Sequence, residues 1–186
     1  MNTIVKIISL FLLLIIMACS ETDKLHNKAL SENSKGNYEE AIKIWNEILT
    51  IEQDNPLYLN DLGWTLFRND NFEQAKAALE KAKAKCKNKS LMKSIETNLD
   101  MVLTFQNGKE LLEAGNYDAA LIEFEKVLAK YSTKDVGMKY LALCYEGMEK
   151  YEEANEQWEK IIDIYKNSNV SNKFYILAQE KFSKLE

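Results

Sequence analysis

Four short segments of this chain repeat one another, and their spacing constrains the fold more than any other feature. Gly36-Asn37-Tyr38-Glu39-Glu40-Ala41, Asp70-Asn71-Phe72-Glu73-Gln74-Ala75, Gly115-Asn116-Tyr117-Asp118-Ala119-Ala120 and Glu149-Lys150-Tyr151-Glu152-Glu153-Ala154 align residue for residue. Their aromatic positions, 38, 72, 117 and 151, are separated by 34, 45 and 34 residues. Four residues after each final alanine stands a large apolar group, Trp45, Leu79, Phe124 or Trp158, and three later another apolar one, Ile48, Ala82, Val127 or Ile161. A period of this length leaves room for two helices and their turns. The alanines mark where two helices approach closely, and Gly36 and Gly115 can take the positive φ that ends a helix in a short turn. The recurring Tyr or Phe is expected to pack as a wedge between the pair. One hairpin alone leaves an apolar face bare, so stacked neighbours must supply the core. A coiled coil would need unbroken heptads, which the Gly-Asn-Tyr breaks deny.

Composition agrees and excludes much chemistry. A single Pro, Pro56, and 6 Gly in 186 residues leave too little turn punctuation for a many-stranded sandwich or barrel, so the fold class is all-α. The one histidine, His26, leaves no material for a His-based metal site or a Ser-His triad, and no glycine-rich phosphate loop occurs. A net charge of -5 argues against nucleic acid as the partner. The Glu39-Glu40 and Glu152-Glu153 pairs follow helix starts, where the dipole favours them, and lack the apolar surroundings of a catalytic acid. The reading is a chain that is not an enzyme and that has no cofactor and no metal. His26 itself is expected to be a solvated surface residue.

The repeated positions resemble the tetratricopeptide repeat (TPR), with units at 22–55, 56–89, 101–134 and 135–168. Leu62-Gly63 and Leu66 stand where that family has its Leu-Gly and aromatic, while Lys28-Ala29 and Asn107-Gly108 depart from the pair. The resemblance implies a right-handed α-solenoid of about four helix-turn-helix units. The middle spacing exceeds the period by eleven residues, nearly three whole helical turns, so the helix face survives the insertion. Leu91, Ile95, Leu99 and Val102 keep that face, which predicts inserted turns over 90–100 in one long helix from Ser90 to Ala114, N-capped by Ser90 and protruding beyond its neighbours. Residues 170–186 repeat the first-helix pattern alone and read as a capping helix. Cys86 and Cys144 are a whole repeat apart, too far for a disulfide, and Cys144 reads as a small buried hydrophobe.

The N-terminus carries an address. Ile7 to Met17 is an apolar run preceded by Lys6, too short to span a bilayer comfortably and of the length found in export signals. Ile16-Met17-Ala18-Cys19 resembles the bacterial lipobox. That resemblance implies a signal peptide over 1–18, cleavage before Cys19, a lipid such as diacylglycerol and an amide-linked acyl chain (palmitate) on Cys19, and a tether over 19–21. Two or three acyl chains hold a protein to a membrane where one does so only marginally. Ser20 after the cysteine favours the outer membrane over the inner. The alternative from the residues is an uncleaved N-terminal anchor.

In the family resembled here, first helices line the concave face. Carried over position by position, the lining is Leu57, Asn60, Trp64, Phe67 and Arg68, then Val102, Phe105, Lys109, Leu112 and Glu113, then Val136, Lys139, Leu143, Glu146 and Gly147. The expectation is a lipid-anchored envelope scaffold whose partner is another protein or peptide segment. Its anchors would meet Trp64, Phe67 and Phe105, with polar contacts from Asn60, Arg68, Lys109 and Lys139 and flanking contacts from Leu112 and Leu143. Two alternatives stay open: a small-molecule or glycan site on the Trp64 and Phe67 patch, and burial of both rings against the long third-repeat helix. Asp61 would repel an acid, which argues against capture of a C-terminal carboxylate.

Overall fold

The computed structural model describes residues 21–130, 134–166 and 173–185. These residues are helical apart from short turns: α1 (residues 21–34), α2 (Tyr38–Ile51), α3 (Pro56–Arg68), α4 (Phe72–Lys85), α5 (Lys89–Glu113), α6 (Tyr117–Lys130), α7 (Lys134–Gly147), α8 (Tyr151–Tyr165) and α9 (Lys173–Leu185). From α2 onward each helix packs on the next, and α3 also meets α5 as α7 meets α9, the layering of an α-solenoid. The expected signal peptide and residues 19 and 20 of the tether lie outside the described residues, as do 170–172 of the capping segment.

The four turns within the hairpins share one geometry. Asn37 N–H donates to Glu32 O (2.9 Å), Asn71 to Leu66 O (2.9 Å), Asn116 to Leu111 O (2.8 Å) and Lys150 to Tyr145 O (2.9 Å), the six-to-one bond of a Schellman cap. The residue before each donor is left-handed: Gly36 at φ 80°, Asp70 at 64°, Gly115 at 76° and Glu149 at 60°. The helices that follow carry Glu39 and Glu40, Glu73, Asp118, and Glu152 and Glu153 in their first turns, against the positive end of the dipole.

Packing explains the repeated columns. Ala41, Ala75, Ala120 and Ala154 are fully buried, as are Trp45, Leu79, Phe124 and Trp158. Opposite the large column lies one of small residues at Ala29, Gly63, Gly108 and Ala142, all buried. A Cβ on Gly63 would lie 2.6 Å from Leu79 Cγ, and one on Gly108 would lie 2.7 Å from Phe124 Cε1. Small residues there let the two helices of a hairpin cross closely, so Lys28-Ala29 and Asn107-Gly108 keep the member of the pair that matters. The aromatic wedge holds at Tyr38 and Phe72, both fully buried. Tyr117 is half-buried, and Tyr151 is 49% exposed, so the expectation fails there: no described helix covers that ring.

The long helix runs Lys89–Glu113, and its cap is Asn88, whose Oδ1 accepts from Ser90 N (2.9 Å) and Leu91 N (3.0 Å). Ser90 is thus a recipient of the cap and not the cap. Lys130, the last residue of α6, bonds Asp100 at 2.6 Å, so residues 89–99 extend past α6. They do not stand free. Ile95 is fully buried, Glu96 pairs with Lys83 (3.0 Å), and Asn98 donates to Asn60 Oδ1 (3.0 Å), which seats the overhang on α4 and α3. Cys86 and Cys144 are free thiols, both buried.

Candidate functional site

The α3–α4 turn, α7, α8 and α9 meet where the sequence places the end of a concave trough. Arg68, last in α3, donates from Nη2 to Asp135 Oδ2 on α7 (2.6 Å), to Tyr38 OH on α2 (2.7 Å) and to Tyr165 OH on α8 (3.4 Å), while its Nε reaches Tyr38 OH at 3.2 Å. Tyr165 OH donates to the same Asp135 carboxylate. Asp135 is 5% exposed, an acid that folding could bury only with such partners. Burial opposes the Arg68 charge, but Asp135, Tyr38 and Tyr165 more than restore it, so the guanidinium stays protonated. Two residues on, Asp70 accepts from Lys139 Nζ (2.5 Å) and Tyr140 OH (3.2 Å). Burial, then Asp70, pushes the Tyr140 phenol far above its ordinary range, and burial, then Asp135, raises Tyr165. Both phenols therefore remain hydrogen-bond donors.

Phe174 of α9 closes the same space. It is buried, lies 6.2 Å from the Tyr38 ring by centroids, and has Arg68 Cζ and Lys139 Nζ over its face at 5.8 and 5.7 Å. Beneath runs a continuous aromatic stack: Phe67 on Phe105 (4.9 Å), Phe72 on Tyr140 (5.9 Å), Phe105 on Phe124 (5.6 Å) and Phe124 on Tyr140 (4.8 Å).

This arrangement corrects the expected lining. Phe67 and Phe105 have no exposed surface and belong to the core. Asn60 is buried with Asn98 on its carbonyl. The charges of Arg68 and Lys139 are used internally, so neither is free for a ligand. Leu112 and Leu143 are half-buried against the core. Lys109 is partly exposed, 5.9 Å above the Phe72 ring and paired with Glu113 at 3.4 Å. Trp64 is half-buried, stacked on Phe67 with centroids 5.6 Å apart. The physical reason is that α7 returns against the α3–α4 turn, and buried charges took partners from their own chain.

His26 also departs from expectation. Its ring sits between Trp45 (5.4 Å) and Tyr58 (5.3 Å), and its Nε2 is 3.4 Å from Asp61 Oδ2. Burial pushes the Asp61 carboxyl up, with His26 pulling the other way. The residues that sequence reasoning missed, Asp70, Asp135, Tyr165 and Phe174, include two acids that lie far along the chain from the cations they pair with: Asp135 is 67 residues from Arg68 and Asp70 is 69 from Lys139. A lone acid at a helix start or in a turn carries no local sign of being buried. No group of three or more His, Cys, Asp or Glu that could hold a metal occurs among the described residues, and burial pushes the Cys144 thiol up to about 12, an inert state. No described helix is long and apolar enough to cross a membrane.

Family models of the tetratricopeptide repeat match residues 57–89 and 140–168. No curated protein matches the chain. Among solved structures, TTC0263, a thermophilic TPR protein of Thermus thermophilus, is similar at 15% identity and a TM-score of 0.56, over 88% of this chain and 98% of that one. MamA from Desulfovibrio magneticus RS-1 is similar at 22% identity and a TM-score of 0.35, over 88% and 92%. Residues 57–89 and 140–168 are thus tetratricopeptide repeats, and the described residues have the fold of a tetratricopeptide-repeat solenoid.

Proposed function

We propose that this chain is a protein-interaction scaffold, held at the bacterial envelope by lipid on Cys19, that receives a polypeptide segment on the first helices of its N-terminal two repeats. One observation carries the choice of surface. Leu30 and Leu57 are 43% and 39% exposed and Trp64 keeps part of its surface open, whereas the corresponding stretch farther along is filled by the chain's own side chains. Leu57 and Trp64 are seven apart, so they share one face of α3, and Leu30 precedes Trp64 by one 34-residue period. A partly exposed tryptophan with leucines on the same face suits an apolar anchor from a partner. The glycan or small-molecule reading keeps only Trp64 of its patch, since Phe67 is enclosed. Ile16-Met17-Ala18-Cys19 supports the lipid anchor, and Ser20 supports the outer membrane.

A photo-activated cross-linker at Leu57 in cells should trap one dominant envelope protein, and Trp64→Ala should lower that yield while the protein still melts cooperatively. Loss of the fold on Trp64→Ala, or a smear of unrelated products, would end the case for this face. Cys19→Ser should abolish incorporation of an acyl label and release the protein from the membrane fraction.

A further inference from the structure

The chain is acidic overall, yet residues 76–93 hold seven lysines and a single acid, Glu80. They occupy the end of α4, the turn and the start of α5. Lys81 and Lys85 are tied to Asp54, at 3.2 and 2.7 Å, and Lys83 to Glu96 at 3.0 Å. Lys87, Lys89 and Lys93 are exposed and have no ion-pair partner among the described residues. Together with Asn88, Met92 and Glu96 they line a shallow hollow of about 210 Å³ at the tip of the α5 overhang.

Where this corner sits is decisive. Alternate helices run in opposite directions, so the start of α1, the end of α2, the start of α3, the end of α4 and the start of α5 lie at one end of the solenoid. Two contacts fix this: His26 of α1 packs on Tyr58 at the start of α3, and Lys85 at the end of α4 bonds Asp54 between α2 and α3. The described part of α1 begins at residue 21, only two positions after Cys19. We infer that the lysine corner of the α4–α5 turn is a second membrane contact, seated on anionic lipid headgroups at the tethered end of the molecule. The inference rests on the proposed anchor at Cys19.

Charge and chemistry favour a lipid surface over other polyanions. Unpaired lysines on long stems give diffuse attraction to a charged plane and fall silent beyond a Debye length, a distance kept short by the two positions that separate residue 21 from Cys19. No aromatic residue lies between Ala75 and Thr104 to stack on bases, and the hollow is too short for an extended acidic peptide. An acyl anchor with a basic patch is also the pairing that turns marginal attachment into stable attachment. Asp54 at the same end is already held by Lys81 and Lys85, so Lys87, Lys89 and Lys93 carry the attraction.

The test uses residues 20–186, which lack Cys19 but hold every described core residue. This chain should float with vesicles of phosphatidylcholine and phosphatidylglycerol, not with phosphatidylcholine alone, and should detach in high salt. Lys87→Gln, Lys89→Gln and Lys93→Gln together should weaken that binding about a hundredfold with melting unchanged. Equal binding to neutral vesicles, no binding to anionic ones, or an unaffected triple variant overturns the inference, as does binding of polyglutamate or duplex DNA by a chain that ignores vesicles. Acyl labelling of Cys19 is read separately, so the anchor and the lysine corner can fail independently.

Discussion

Glu149 and Asp70 hold the same left-handed corner that glycine fills in the other two hairpins, but they hold it for different reasons. Glu149 is exposed and makes no ion pair among the described residues, so nothing offsets its strained φ; Asp70 places its carboxylate on Lys139 and Tyr140. Glu149→Gly should therefore stabilise the protein by ~0.5–1 kcal/mol, the left-handed penalty less glycine's extra entropy in the unfolded chain. Asp70→Gly relieves the same strain yet leaves the largely buried Lys139 amine unpaired, and should destabilise by ~1–3 kcal/mol. Urea midpoints of the two variants should move in opposite directions. Asp61 gives a pH test. Its folded carboxyl is raised above the ordinary 3.8 by burial, so the folded state binds that proton more tightly than the unfolded one. The contribution of Asp61 to stability thus falls as pH rises from 3.8 to its raised value. Asp61→Asn removes the dependence, and its melting temperature relative to wild type should climb across that window. A flat difference would mean that the half-buried carboxylate is not desolvated.

At the scale of elements, the helix pairs depend on a column of small residues facing a column of large ones. Gly63→Ala tests this because two effects oppose. Alanine within a helix gains ~1 kcal/mol over glycine, whereas a methyl 2.6 Å from Leu79 Cγ costs ~1–3 kcal/mol of overpacking. Over most of that range the clash outweighs the gain in helix propensity, and a net loss of up to ~2 kcal/mol in denaturant unfolding is expected. A gain would show that α3 and α4 can slide apart. The same column explains what could be read before the structure. Helix pairs, their turns and the phase of the eleven-residue insertion were legible because neighbours in a solenoid meet at a fixed sequence offset, so a contact between hairpins is written as a period. The cap of α5 was misplaced because Asn88 and Ser90 are both good cap residues two positions apart, and only backbone geometry chooses between them. The trough residues were harder. Family register puts Phe67, Arg68, Phe105 and Lys139 on the first-helix face, but whether that face meets water depends on how tightly the stack curls. Tyr151 fails for the complementary reason: a wedge needs a helix on its far side, and sequence does not say where the covering stops, whereas the Tyr117 ring lies against Gly147 of α7.

For the whole molecule, the consequence is in cooperativity. A solenoid whose repeats touch only their neighbours unfolds as a one-dimensional chain, and distant repeats can melt apart. Here Arg68 and Asp70 join the second repeat directly to the fourth, across Asp135, Lys139 and Tyr140, while Phe174 of α9 reaches Tyr38 in the first. These links make a ring of the stack, so the wild-type protein should unfold in one transition, with circular dichroism and tryptophan fluorescence superimposed. Arg68→Met leaves the Asp135 carboxylate buried with the Tyr165 hydroxyl and the Val136 amide but no cation, a change of the kind that costs ~3–5 kcal/mol. It should also separate the two probes, because the halves lose their charged clasp and not merely stability. Adding Asp135→Asn removes the stranded charge, so the double variant should recover part of the stability lost. The cross-link stays broken, and the transitions should remain apart. If the double variant regained coincident unfolding, the coupling would lie in the Phe67, Phe72, Phe105 and Tyr140 stack instead of the ion pair. Phe72→Leu, which keeps bulk but loses the ring contact with Tyr140, would then be the substitution that splits the curve.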